Sequence, residues 1–214
     1  MDDFSSFDII FFFAFDRDNY LILIASIIGA TFLIFNAKGN PIGQFLTVVF
    51  SMLYGIISYE FSYYGEMITY LGMTMPMAFF ALISWLKNPY NNNKSEVKVN
   101  KLSKKEIVFM FVLTAFVTIV FYYILKYFNT ANLIPSTISV TTSFLAVYLT
   151  FRRSPYFALA YAMNDLVLIV LWALASIEDK SYFSVVICFV VFFVNDMYGF
   201  VNWKRMEKKQ KENI

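Results

Sequence analysis

A chain of 214 residues with 59% apolar, 21% aromatic and 15% charged side chains, and a mean hydropathy of +0.61, is too poor in charge for a soluble globular domain of this length. With no histidine and a single cysteine, Cys188, it lacks the ligands for zinc, copper or haem sites, the base of a histidine triad and the partner for an intramolecular disulfide. No metal or cofactor is expected, and the net charge of +2 carries no sign of a nucleic-acid partner.

Residues 1–18 read as an N-terminal interfacial segment, because the apolar run Ile9–Phe15 is too short to span a bilayer. The opening Met-Asp-Asp lacks the basic region of a cleavable signal peptide. Seven uncharged or nearly uncharged windows of membrane length follow: Asn19–Ala37, Pro41–Tyr59, Met67–Leu86, Ile107–Leu125, Leu133–Phe151, Ser154–Ile177 and Tyr182–Trp203. In the third window Pro76 predicts a kink, and Met67, Met73, Met75 and Met77 read as packing residues. The polar stretch between the third and fourth windows, NPYNNNKSEVKVNKLSKK, is expected to be flexible and to form no domain. Residues 206–214 form a basic tail, and Trp85 and Trp203, each close to lysine, are expected in an interfacial belt.

Charge fixes the orientation. Of 17 Lys and Arg, all but Arg17, Lys126 and Lys180 fall on the side that holds Lys38, Lys87–Glu106, Arg152-Arg153 and the tail. That side is expected to be cytoplasmic, with the N-terminus outside and the C-terminus inside. Offsets of 114 and 118 residues align Lys38-Gly39-Asn40-Pro41 with Arg152-Arg153-Ser154-Pro155, and Ser84-Trp85 with Asn202-Trp203. A transmembrane domain over 19–205 is therefore divided into a first repeat (19–87), a linker loop and helix (88–126) and a second repeat (132–205). This is an all-α, 3+1+3 parallel-repeat bundle of seven helices.

Two Asn-Asp pairs interrupt the sixth and seventh windows. An Asp at the centre of a membrane helix costs about 2.5–3.5 kcal/mol on insertion scales, so such residues line a cavity, pair or bind. Asn164, Asp165 and Trp172 on the sixth helix, with Asn195, Asp196, Tyr198 and Asn202 on the seventh, are the candidate substrate-binding residues. Amides beside aromatics suit a flat heterocycle bearing hydroxyls, and a carboxylate adds attraction for a cationic ring. An intramembrane aspartic protease would need Gly-x-Gly-Asp or Tyr-Asp contexts, which neither aspartate has. No catalytic residue is assigned, and no enzyme is expected. A substrate-capture subunit of a larger transporter shares the amide–aromatic chemistry but calls for six spans.

Tyr64-Gly65-Glu66 followed by Trp85, and the helix end Tyr198-Gly199-Phe200-Val201-Asn202-Trp203, resemble the YG(D/E)…W and YGxxxW patterns of the PnuC vitamin transporters. The resemblance covers residues 20–205. It implies a SWEET-like fold in the plasma membrane and facilitated diffusion of nicotinamide riboside, a NAD precursor, trapped inside the cell by phosphorylation. A deoxynucleoside, thiamine or riboflavin remains an open alternative as solute, and proton coupling and homo-oligomerisation also stay open. Tyr70-Leu71 stands where the family pattern leads one to expect a glutamine.

Overall fold

A computed structural model describes residues 20–60, 64–130, 132–178, 180 and 183–212. The predicted interfacial run Ile9–Phe15 lies outside them. The described chain forms helices α1 (Tyr20–Ala37), α2 (Pro41–Glu60), α3 (Tyr64–Lys87), α4 (Lys104–Tyr127), α5 (Leu133–Phe151), α6 (Phe157–Glu178) and α7 (Phe183–Glu212). Among the described residues α2 to α7 contain stretches long and apolar enough to cross a bilayer. The seventh apolar helix, α1, has 18 residues.

Local sequence accounts for the helix ends. Ser103 accepts the Glu106 amide at 3.3 Å while Glu106 accepts the Ser103 amide at 2.7 Å, a capping box that opens α4. The turn after α1 needs a left-handed residue, and Gly39 supplies it at φ 67°. The turn after α5 repeats the construction with Arg153 at φ 56°. The same backbone bonds recur at the offset of 114. Gly39 N–H reaches Asn36 O and Asn40 N–H reaches Phe35 O; Arg153 N–H reaches Thr150 O and Ser154 N–H reaches Leu149 O. Inside α3 a π-helical turn, Tyr70–Thr74, directly precedes Pro76, so the helix is irregular one turn ahead of the predicted kink.

The helices pack as two consecutive triplets, α1–α2–α3 and α5–α6–α7, which meet through α3 against α5 and α7 against α1. α4 packs on α5 and turns Val108, Phe109, Phe111, Val112 and Phe116 outward. Polarity is reversed relative to a soluble bundle. Gln44, Thr47, Ser51, Ser58, Thr142 and Thr150 are buried, while Phe45, Ile56, Phe79, Met163 and Val170 are exposed. That distribution suits a hydrocarbon solvent, in which helices cohere by packing and hydrogen bonds rather than by hiding apolar surface from water.

The segment expected to be flexible is instead tied down, and the bundle is not purely helical. Strands β1 (Pro89–Tyr90) and β2 (Asn93–Val97) form an antiparallel hairpin. The chain then crosses the end of the bundle as a strap. Val97 N–H donates to Gly39 O at 3.0 Å and Asn100 N–H to Arg153 O at 3.0 Å, the two left-handed residues of the equivalent turns. The buried Gln210 accepts Val99 N–H at 2.8 Å and donates to Val97 O at 3.0 Å. Its position shows the second difference: α7 continues through the expected tail to Glu212. The sequence reading missed both because a polar composition does not reveal which backbone donors meet fixed acceptors.

Candidate functional site

Helices α6 and α7 are antiparallel neighbours in close contact, and they bring three of the four residues of the Asn-Asp pairs into the interior. Asn164 is buried, and its Oδ1 accepts from Ser139 Oγ at 3.0 Å and Thr142 Oγ1 at 2.9 Å, both on α5. Asp165 and Asp196 are 5% and 7% exposed, and their carboxyls lie close to one another across the two helices. A bond between two carboxyls requires a proton on one oxygen, since a carboxylate is an acceptor only. No Lys or Arg occurs in any of the seven predicted windows, so no cation from within the spans stands beside the pair. Asp165 Oδ2 and Asn195 Nδ2 are buried and find no hydrogen-bond partner among the described residues.

Tyrosines face this acidic centre. The Tyr161 side chain, one turn before Asp165, lies within electrostatic reach of both carboxyls and beside Thr150. Tyr70, at the start of the π-helical turn, lies in reach of Tyr161 from the other triplet. Its ring centroid is 4.6 Å from that of Tyr54 and 6.0 Å from that of Phe50. The first triplet thus contributes aromatic faces and the second contributes amide and acid.

At the basic end the tryptophans of α3 and α7 meet. Trp85 and Trp203 are both 0% exposed, with ring centroids 5.3 Å apart, and Phe157 stands edge-on to Trp203 at 4.9 Å. The interfacial-belt expectation is therefore corrected, because each indole N–H is spent on a carbonyl in the opposite triplet. Trp85 Nε1 donates to Thr150 O and Trp203 Nε1 to Asn36 O, both at 2.9 Å. Ser84 Oγ donates to Phe151 O at 3.0 Å and Asn202 Nδ2 to Ala37 O at 2.8 Å.

Of the candidate residues, then, Asn164, Asp165 and Asp196 are brought together in the interior, with Asn195 partly buried beside Asp196. Trp172 is half-buried further along α6. Asn202 lies at the joint with α1, and Tyr198 faces out of the bundle at 54% exposure. The inward stripe of α7 is Asp196–Gly199–Trp203, one residue round from Asn195–Tyr198–Asn202. The sequence reading passed over Tyr54, Ser139 and Thr142, and it noted Tyr70 only as a departure from the family pattern, not as a site residue. The irregular turn at Tyr70 left no signal in hydropathy, and the hydroxyls matter through the amide they hold.

Comparison with known proteins decides what this bundle is. Residues 19–205 match the family described as Nicotinamide mononucleotide transporter. The chain belongs to that family. It is 26% identical over 202 residues to the nicotinamide riboside transporter PnuC of Neisseria mucosa, covering 92% of this chain and 76% of that protein. It is 23% identical over 194 residues to the nicotinamide riboside transporter PnuC of Haemophilus influenzae, covering 90% and 82%. The crystal structure of the vitamin B3 transporter PnuC superposes with a TM-score of 0.76 at 23% identity, over 96% of this chain and 89% of that one. The likeness in structure establishes the fold, and the chain is a multi-pass transmembrane transporter of the PnuC family. Within it, Tyr70 opens the π-helical turn of α3 and sets its aromatic face beside Tyr54.

Proposed function

We propose that the protein carries nicotinamide riboside across the plasma membrane by facilitated diffusion, with phosphorylation inside the cell trapping the product. The observation that carries this choice of solute is the buried Asp165–Asp196 pair in spans without a single Lys or Arg. Nicotinamide riboside presents a cationic ring and no phosphate. Carboxyls and tyrosine faces attract the ring, whereas the phosphate of the mononucleotide would meet acid without a counter-charge. Asn195, whose Nδ2 is buried without a partner, is the amide available to a ribose hydroxyl, with Asn164, Asp165, Trp172 and Asp196 around it. Asn202 and Tyr198 join this set only if α7 turns during transport.

The matching turns, the reciprocal tryptophan bonds and the offsets of 114 and 118 support two parallel three-helix repeats, residues 19–87 and 132–205, in a SWEET-like 3+1+3 plan around α4. The basic end is cytoplasmic in this reading, with the N-terminus outside. The test is exchange of radiolabelled nicotinamide riboside into liposomes holding the purified protein, without ATP or an ion gradient. Nicotinamide riboside competes and nicotinamide mononucleotide does not, and Asn195→Ala loses exchange while eluting as folded protein. Better competition by thiamine, riboflavin or a deoxynucleoside reassigns the solute. No exchange of any of them refutes the facilitator.

A further inference from the structure

We infer that the Trp85–Trp203 pair, with the strap above it, is a gate closing the basic end of the bundle, and that the two triplets part there when the molecule opens at that end. Each tryptophan sits on the third helix of one triplet and bonds the first helix of the other, so the two bonds form a reciprocal clasp. Ser84 and Asn202, each preceding its tryptophan, double the clasp on the next carbonyl along. The strap bridges the same two helix ends one layer further out, through Gly39 O and Arg153 O.

The choice of acceptors makes the clasp reversible. All four carbonyls, Asn36, Ala37, Thr150 and Phe151, belong to the last residues of α1 and α5, beyond the reach of the regular helical donors, and Asn36 O and Thr150 O also keep the turn amides of Gly39 and Arg153. Water that enters on opening can take over the same acceptors, so the cost of parting is a few modest bonds rather than orphaned backbone. Thr150 also links the clasp to the interior. Its carbonyl accepts from Trp85, and its side chain lies beside Tyr161, which neighbours Asp165 and Asp196. A solute at the acidic centre therefore has a short physical route to the gate. The gate depends on the transport reading only for the identity of what passes, and its test uses no solute.

The test places a reporter cysteine in a Cys188→Ser background. Ala81→Cys lies one helical turn inward of Trp85, at a buried position, and Ala25→Cys is buried in α1 about 18 Å along the helix from its basic end. Each is reacted with a charged maleimide in detergent, with and without Trp85→Phe or Trp203→Phe, which keep a ring and remove the N–H. Losing one interhelical bond raises the labelling rate at position 81 by about three- to twentyfold while position 25 stays protected. Unchanged labelling at position 81 in both variants overturns the gate, and so does a parallel rise at both positions, which marks general loosening. Should either phenylalanine variant fail to fold, Ser84→Ala and Asn202→Ala take its place in the same comparison, with both indoles left intact.

Discussion

The Asp165–Asp196 contact makes a sharp prediction about which substitutions the interior tolerates. Asp196→Asn supplies an Nδ2–H donor to the Asp165 carboxylate, so the contact survives without the shared proton. Asp196→Ala removes it, leaving a carboxyl that is 5% exposed and already has one oxygen, Oδ2, without a partner. A hydrogen bond to a charged group contributes about 1.5–3 kcal/mol. At about 2–4 °C per kcal/mol for a chain of this length, the thermal midpoint in detergent falls by about 3–12 °C in Asp196→Ala and by far less in Asp196→Asn. Removing the second acid as well takes away the stranded group, and replacing both members of a buried charged pair is commonly far milder than removing one. The double variant Asp165→Ala/Asp196→Ala should therefore lose at least about 1 kcal/mol less than the two single losses combined. The assay is a four-corner cycle of thermal midpoints by fluorescence-detected size exclusion. Strict additivity, or an Asp196→Asn variant as unstable as Asp196→Ala, refutes a shared-proton contact.

Two further substitutions probe the basic end. Gln210→Ala takes partners from Val99 N–H and Val97 O at once, so it costs about 1–3 kcal/mol and exposes the strap to limited proteolysis between residues 93 and 103. A strap as resistant as in the unmodified protein would mean that the turn bonds alone hold it. Gly43→Ala sets a Cβ 2.2 Å from Asn36 Oδ1 and 2.6 Å from its backbone nitrogen. The backbone atom cannot yield, so α1 and α2 separate at a cost of about 1–3 kcal/mol, read as a drop in thermal midpoint. An unchanged midpoint would show that the turn has slack there.

Most of the fold is legible in the chain because membrane solvation writes it in one dimension. Uninterrupted apolar windows mark the helices, Pro41 sits at the start of α2, and Gly39 marks a turn whose left-handed residue recurs in Arg153. At the offsets of 114 and 118, matching bonds are made by Asn36 and Thr150, by Ala37 and Phe151, and by Trp85 and Trp203. Position is legible; partnership is not. A tryptophan beside a lysine reads as a belt residue until the carbonyl that takes its N–H is known, and that carbonyl lies 65 residues away for Trp85 and 167 for Trp203.

The interior shows the same limit at a finer scale. Periodicity names a stripe, but a residue step on a helix is 100°, so an error of one residue in choosing the stripe turns a buried group outward. On α7 that step separates Asn195–Tyr198–Asn202 from Asp196–Gly199–Trp203. What settles the rotation is not polarity, since both stripes carry a polar residue, but close approach. Gly199 lies against Ala37 and Ala158, whose Cβ atoms would stand 3.6 and 3.8 Å from a Cβ added there. A methyl would fit there in ordinary contact, but the Tyr198 ring at the middle of the other stripe would not. Asp196 and Trp203 are carried inward with the glycine, one to meet Asp165 and the other to close on Asn36. In a bundle without a hydrophobic drive between helices, the smallest side chain on α7 therefore decides where its most polar and its largest ones point.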